Sequence, residues 1–268
     1  MEIEEHYSDG GLLARVLEAL RAQHGNLDAL TRDDLSPLDE FHTRGRVATR
    51  ELAELAALEP GTRLLDVGSG LGGPARFLAA ERGCDVTGVD LVSDFCQVAS
   101  ELTRLTRLEE RARFQQGNAL ALPFADSSFD AVWTLQAQMN IADKRGFYRE
   151  IARVLRPGGR FVFQDICAGN GEPLDFPVPW ATEPGQSHLA APAEIRALLV
   201  ELGFEEHIFR DISDATRAWR AAHPAPPTPP PLDTHLIMGP RAQEKSRNSA
   251  GNLARGRIAF VQGVFTRA

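Results

Sequence analysis

The sequence predicts an α/β fold built on a doubly wound, mostly parallel sheet. Two observations carry this. Strand-type and helix-type segments alternate strictly from Arg63 to Ile166, and the first strand runs into a turn, LLDVGSGLGG at 64–73, with Gly68, Gly70, Gly72 and Gly73 close together. Strict alternation closes as strand–helix–strand crossovers with helices on both faces of the sheet. Crowded glycines mark positive φ or a backbone that something must approach closely.

Each element has its own warrant. Leu12, Leu13, Val16, Leu17 and Leu20 recur at helical spacing over residues 12–23, and GRVATRELAELAAL at 45–58 repeats the pattern until Glu59, Pro60 and Gly61 stop it. Between them TRDDLSPLDEFH, 31–42, reads as a polar loop, so residues 1–60 are expected to lay helices over the sheet edge. RLLDV at 63–67 is the first strand, CDVTGVDL at 84–91 the second and ARFQQGNA from Ala112 the third. The fourth has Phe129, Ala131, Val132 and Trp133 at its heart, and GRFVFQDI from Gly159 is the fifth. Helices fill the gaps, over PARFLAAERG, from Ser93 to Leu105, and from Lys144 to Leu155, where RPGG ends the last. Beyond them AEIRALLVELGF is a helix running into a strand over 204–212, DATRAWRAAHP is a further helix, and RIAFVQGVFTR at 257–267 is a closing strand. PAPPTPPPLD at 224–233 can be neither helix nor inner strand and is expected to be a surface loop. With no repeat and no second core, residues 1–268 read as one domain.

Composition narrows the function classes. The net charge of −8 argues against a general phosphate-binding surface and hence against a nucleic-acid partner. The best basic cluster, Arg241, Lys245, Arg247, Arg255 and Arg257, reads as a solvated helix face. Cys84, Cys96 and Cys167 form neither a CxxC pair nor a metal-ligand spacing, so no metal and no disulfide framework are expected. The start MEIEEHYSDGG is acidic, and no apolar run is long enough for a bilayer, so a cytoplasmic protein without a membrane partner is expected. A homodimer is left open.

The glycine turn sits where a doubly wound sheet binds ligands, outside the carboxyl ends of the strands. Gly68, Gly70 and Gly73 match G-x-G-x-x-G, which suits a dinucleotide and a nucleoside alike. Asp90, at the end of the second strand, can accept both ribose hydroxyls and disfavours a 2′-phosphate. GNALALPF, from Gly117, puts the Asn118 amide beside a flat apolar slot between Leu120 and Leu122, able to accept from an adenine amino group. A dinucleotide domain does not need that element.

These blocks, LLDVGSGLGG at 64–73, VTGVDL at 86–91, GNALALPFADSSFDAVWTLQA at 117–137 and EIARVLRPGGRFVFQDI at 150–166, stand in order and at a familiar spacing. In them the chain resembles the class I S-adenosylmethionine-dependent methyltransferases, within the small-molecule branch that includes ubiquinone/menaquinone and sarcosine/dimethylglycine methyltransferases (methyltransferase type 11). The resemblance implies a Rossmann-like, doubly wound seven-stranded sheet with an antiparallel last strand inserted beside the fifth, and an N-terminal helical cap. It divides the chain into a cap (1–60), a cofactor-binding core (61–168) and a substrate-side region (169–268). It further implies that Gly68, Ser69 and Gly70 line the methionine part of S-adenosylmethionine through backbone groups. Asp66 would lie near the cofactor's amino group, Asp90 would hold the ribose, and Leu91 would pack on the adenine. Asn118 and Ala119 would meet the adenine edge, and Gln136 would approach the methionine end by its backbone. Asn118 stands where the family usually has an acid. The implied activity is methyl transfer to a small-molecule acceptor, releasing S-adenosylhomocysteine.

Displacement at a sulfonium expels a neutral thioether, so alignment and dryness matter more than a nucleophilic side chain. That accounts for the absence of a Ser/His/Asp or paired-carboxylate constellation. His42 is the candidate base. Tyr7, Arg46, Met139, Asn140 and Trp180 are the candidate acceptor contacts, from the cap, the loop after the fourth strand and the insertion after the fifth. An NAD-linked oxidoreductase and a non-catalytic cofactor-binding protein are the competing readings.

Overall fold

The computed structural model describes residues 11–39, 41–224, 230–239 and 241–268. Helix α1 (Leu12–His24) and α2 (Gly45–Ala56) precede the sheet. Then follow β1 (Arg63–Val67), α3 (Gly73–Arg82), β2 (Asp85–Asp90), α4 (Ser93–Leu105), β3 (Ala112–Gln116), β4 (Phe129–Leu135), α5 (Lys144–Val154) and β5 (Leu155–Ala168). The chain closes with α6 (Pro192–Glu201), β6 (Phe204–Asp211), α7 (Ser213–Ala222), α8 (Ala242–Ala254) and β7 (Ile258–Arg267).

The strands form one seven-stranded sheet in the order β3-β2-β1-β4-β5-β7-β6, with β7 antiparallel to both neighbours. The expected sheet with its inserted antiparallel last strand is therefore present. Strand order reverses between β1 and β4, which opens a crevice at their carboxyl ends. Inner strands are buried on both faces, so β1 and β4 read as continuous apolar runs and not as alternation.

Two cores flank the sheet. On one side Phe147, Tyr148 and Ile151 of α5 and Ile195 and Leu199 of α6 pack on Phe161, Phe163 and Phe265. On the other, Leu52, Ala53 and Ala56 of α2 and Phe77 and Leu78 of α3 pack on Leu64, Val86, Val162 and Val264. Helix α1 seats Leu12, Val16 and Leu20 against Val98, Leu102 and Leu105 of α4. Leu232, just beyond the proline-dense stretch, is buried in the same cluster, so that excursion is tied back to α1.

Three elements differ from expectation. RPGG does not merely end a helix, because Leu155 already belongs to β5, with a bulge in the β4–β5 ladder between Phe129 and Ala131. TRDDLSPLDEFH is not a plain polar loop: it contains a helical turn, Ser36–Asp39, with Leu35, Leu38 and Asp39 buried. The basic cluster is not one solvated face, since Lys245 is buried with Nζ on the Met238 carbonyl at 2.9 Å, while Arg255 and Arg257 pair with Asp175.

Candidate active site

The crevice opens into a cavity of about 1850 Å³ lined by the carboxyl ends of β1, β2 and β4, the cap, and α7 and α8. Small-molecule sites commonly enclose about 300–1,000 Å³, so there is room for more than one ligand.

The glycine turn forms its floor. Gly68 has φ +76°, and a Cβ there would stand 2.8 Å from that of Ala137. Gly70 has φ +52°, and a Cβ there would meet nothing within 4 Å, so its backbone faces open cavity. Four donors of the turn are already used. Gly68 N and Ser69 N donate to the Val89 carbonyl at 2.8 and 3.1 Å, Gly72 N to the Ser69 carbonyl at 2.9 Å, and Gly70 N to Asp90 Oδ2 at 2.8 Å. A phosphate needs converging N–H groups. This turn has spent four of them internally, and the acidic side chains of Asp66 and Asp90 line the cavity beside it.

Asp66 is buried, its Oδ2 has no hydrogen-bond partner among the described residues, and burial together with the nearby Asp90 charge pushes its pKa up to about 8. Burial also raises the pKa of Asp90, against the opposing pull of N–H donors from Val92 and Gly70. Those two donors, at 3.0 Å on Oδ1 and 2.8 Å on Oδ2, fix the carboxylate's orientation. Each oxygen keeps a second lone pair for a ligand.

Leu91, Asn118 and Ala119 line the same end of the cavity. Asn118 Oδ1 accepts from Leu120 N at 2.9 Å in a local turn, which fixes the amide and leaves its NH₂ and one lone pair of Oδ1 for a ligand. Gln136 differs from expectation. Its backbone N–H bonds the Gln164 carbonyl at 2.8 Å within the sheet, and φ is +54°. What it leaves without a partner is the buried side-chain Nε2.

The candidate acceptor contacts are brought together less completely. His42, Arg46, Met139, Asn140 and Trp180 all line the cavity, and Tyr7 lies outside the described residues. His42 is buried with Nε2 3.0 Å from both the Gly45 carbonyl and Thr49 Oγ1, at the start of α2, and burial lowers its pKa to about 4. A general base works best with a pKa near the operating pH, so this geometry makes His42 a strut of the cap. Arg46 is paired with Asp33 at 2.5 Å. Trp180 donates Nε1 to Ser187 Oγ at 2.9 Å and is buried with Met139, Ile166 and Phe260, so it anchors its own loop and shows the cavity only part of its surface.

Several site residues escaped sequence reasoning. Arg76 on α3 reaches Asp39 in the cap. Lys144 donates Nζ to the carbonyls of Gln138, Ile141 and His188, each at 2.5 Å, and so ties down the loop carrying Met139 and Asn140; burial lowers its pKa to about 8. A lysine opening a helix opposes the helix dipole, and that was its one visible signal. Asp165 is buried, accepts from Ala137 N at 3.0 Å, and is raised to about 7 by burial. Gln262 Nε2 donates to Gln164 Oε1 at 2.9 Å, and Gln164 Nε2 reaches the Thr43 carbonyl at 3.4 Å, joining the sheet to the cap. Two glutamines inside apolar strands were a readable hint of such a link. Among the described residues no group of three His, Cys, Asp or Glu could hold a metal ion, and no helix is long and apolar enough to cross a membrane.

Residues 65–163 match the family model described as "Methyltransferase domain". The 27-O-demethylrifamycin SV methyltransferase of Amycolatopsis mediterranei is 33% identical over 203 residues, which is 74% of this chain and 72% of that one. The methyltransferase GfsG of Streptomyces halstedii is 34% identical over 165 residues, 62% of this chain but only 58% of its relative's length. In fold, the chain is similar to geranyl diphosphate C-methyltransferase from Streptomyces coelicolor, with a TM-score of 0.66, 19% identity, and coverage of 83% of this chain and 80% of that one. The chain belongs to the class I S-adenosylmethionine-dependent methyltransferases, in the small-molecule branch.

Proposed function

We propose that the protein transfers the methyl group of S-adenosylmethionine to a hydroxyl oxygen of a bulky, largely apolar small molecule. The observation that carries the cofactor half is the glycine turn with four of its N–H groups spent, beside Asp66 and Asp90. That setting suits a ligand with cationic ammonium and sulfonium centres better than the diphosphate of a nicotinamide dinucleotide. The oxygen acceptor is supported by a relative that covers 74% of the chain, whose name specifies a 27-O-demethylrifamycin. Bulk is supported by the cavity, which is far larger than one nucleoside needs.

The residues present fit the cofactor. Asp90, held in place by Gly70 N and Val92 N, would accept the two ribose hydroxyls. Leu91 and Ala119 would face the adenine, and the Asn118 NH₂ would donate to a ring nitrogen. Asp66, with its unpartnered Oδ2, and the Gly68 carbonyl would take the ammonium, while Ser69 and Gly70 leave the space it needs. Gln136 Nε2 would donate to the methionine carboxylate. When bound, the cofactor supplies a methyl already activated by sulfonium.

Met139, Asn140 and Trp180 would form the acceptor's wall, held by Lys144, and the cap around His42 and Arg46 would exclude water. The acceptor oxygen would take the methyl as the carbon–sulfur bond left its electron pair on the neutral thioether, and the hydroxyl proton would pass to bulk water where the crevice opens. Alignment within about 3–3.5 Å is the main contribution asked of the protein. The test is incubation with isotope-labelled S-adenosylmethionine and pooled natural-product extracts, resolved by mass. Labelled O-methyl product together with S-adenosylhomocysteine supports the reading. Transfer to nitrogen or carbon would overturn the acceptor half. Binding of NADH in preference to S-adenosylhomocysteine would overturn the cofactor half.

A further inference from the structure

Arg220 on α7 is the one guanidinium lining the cavity that is largely buried yet, among the described residues, faces no carboxylate. Among the described residues its Nε is buried without a partner, and its Nη2 has only two long contacts, to Thr43 Oγ1 and Ser249 Oγ, both at 3.4 Å. Burial depresses its pKa, and no acid among those residues opposes that. Other cavity arginines are accounted for: Arg44 pairs with Glu51, Arg46 with Asp33 and Arg241 with Glu244, while Arg247 is exposed at the rim. A buried charge without a counter-charge is costly, and such a group is retained where a ligand supplies the missing partner.

Its position assigns it to the acceptor. Thr43, which Arg220 touches, receives Gln164 Nε2 on its carbonyl, and Gln164 lies opposite Leu135 in the β4–β5 ladder. Arg220 therefore stands near the carboxyl end of β4 and the adjoining stretch of β5, while Asp90 and Asn118 belong to the β2–β3 side of the sheet. Beside it on α7, Trp219 and His223 stack at 4.6 Å with 14° between their planes, and both line the cavity. A flat aromatic shelf next to a guanidinium fork suits a conjugated acid.

We propose that Arg220 is the anion clasp of the acceptor site, and that the acceptor carries an ionised oxygen acid, a carboxylate or acidic phenol, on an aromatic or conjugated skeleton. This rests on the methyltransferase reading, because it places the acceptor at the β4–β5 end of the cavity.

The test uses the full chain saturated with S-adenosylhomocysteine and two matched probes, 2-naphthoate and the neutral 2-naphthalenemethanol, titrated calorimetrically. The expected result is at least about tenfold tighter binding of the carboxylate. Arg220→Gln should abolish that preference with S-adenosylhomocysteine affinity intact, and Arg220→Lys should keep part of it. With no ion pair to lose, Arg220→Gln should melt at or above the wild-type temperature. Equal binding of both probes to the wild type, or a preference that survives in Arg220→Gln, would overturn the proposal. So would a loss of S-adenosylhomocysteine affinity in Arg220→Gln with 5′-methylthioadenosine affinity retained, since Arg220 would then serve the cofactor's own carboxylate. Repeating the probe titration without S-adenosylhomocysteine reads the clasp separately, so failure of the cofactor reading is told apart from failure of the clasp.

Discussion

Arg76 and Asp39 form a buried ion pair, Nη2 to Oδ1 at 2.5 Å with the side chains 0% and 2% exposed, between the first helix of the sheet domain and the cap. The same Nη2 donates to the Leu71 carbonyl at 2.7 Å, and Nη1 reaches Thr103 Oγ1 at 3.0 Å and the Ala99 carbonyl at 3.2 Å. One guanidinium thus fastens the cap, the glycine turn and α4 to each other. Gly73 packs so tightly on Asp39 that no side chain would fit there.

Asp39→Ala should destabilise the protein by about 3–5 kcal/mol, since it strands a buried cation. The double variant Asp39→Leu, Arg76→Met should recover most of that loss in urea denaturation. It should still bind S-adenosylhomocysteine more weakly, because the Leu71 carbonyl loses its donor. A double variant as unstable as the single one would show that packing, and not charge, dominates this contact.

Asp66 supplies a pH signature. Its folded pKa of about 8 lies above the unfolded value of about 3.9, so between those pH values the folded state holds the extra proton. The stabilisation is complete below about pH 4 and is lost as pH rises through about 8. Asp165, raised to about 7, acts with the same sign. An ammonium arriving beside Asp66 should ionise it, so S-adenosylhomocysteine binding at pH 6.5 should release roughly one proton to the buffer. Calorimetry in buffers of different ionisation enthalpy reads this directly. Asp66→Asn should abolish the release, and a buffer-independent wild-type heat would contradict the assignment.

His42, with a pKa near 4 and Nε2 on the Gly45 carbonyl, should not titrate in the activity profile. His42→Gln should keep turnover within a few-fold and lower stability by about 1 kcal/mol. A loss of turnover of a hundredfold or more with cofactor affinity intact would restore it as the base.

Lys144 should matter through the loop it holds. Lys144→Met removes three charged hydrogen bonds, so hydrogen exchange should accelerate over 138–141 and at 188–189, with a stability loss of about 2–3 kcal/mol. Affinity for S-adenosylhomocysteine should change less than about threefold. Unchanged exchange in that loop would remove the role.

The parts of this protein that were legible in its sequence are those fixed by local chemistry. The strands from β1 to β4 announce themselves as β-type runs closed by turn residues, and the Gly68–Gly73 turn shows its need for positive φ and close approach. Asp90 could be placed because a strand's carboxyl end is a fixed point in such a sheet. What stayed hidden depends on partners distant in sequence. Asp39 and Arg76 are 37 residues apart, and nothing local marks either as buried. The orientation of the Asn118 amide is set by its bond to Leu120 N, which exists only once the turn is folded. Nothing local in DATRAWRAAHP marks Arg220, because its surroundings come from α8 and the cap.

The most direct measurement is titration of the purified protein with S-adenosylhomocysteine, alongside Asp90→Ala. The account predicts saturable binding by the wild type and at least a tenfold weaker response in the variant, since Asp90 accepts from the Gly70 amide and is proposed to hold the ribose. No binding by the wild type, or binding that Asp90→Ala leaves unchanged, would contradict it.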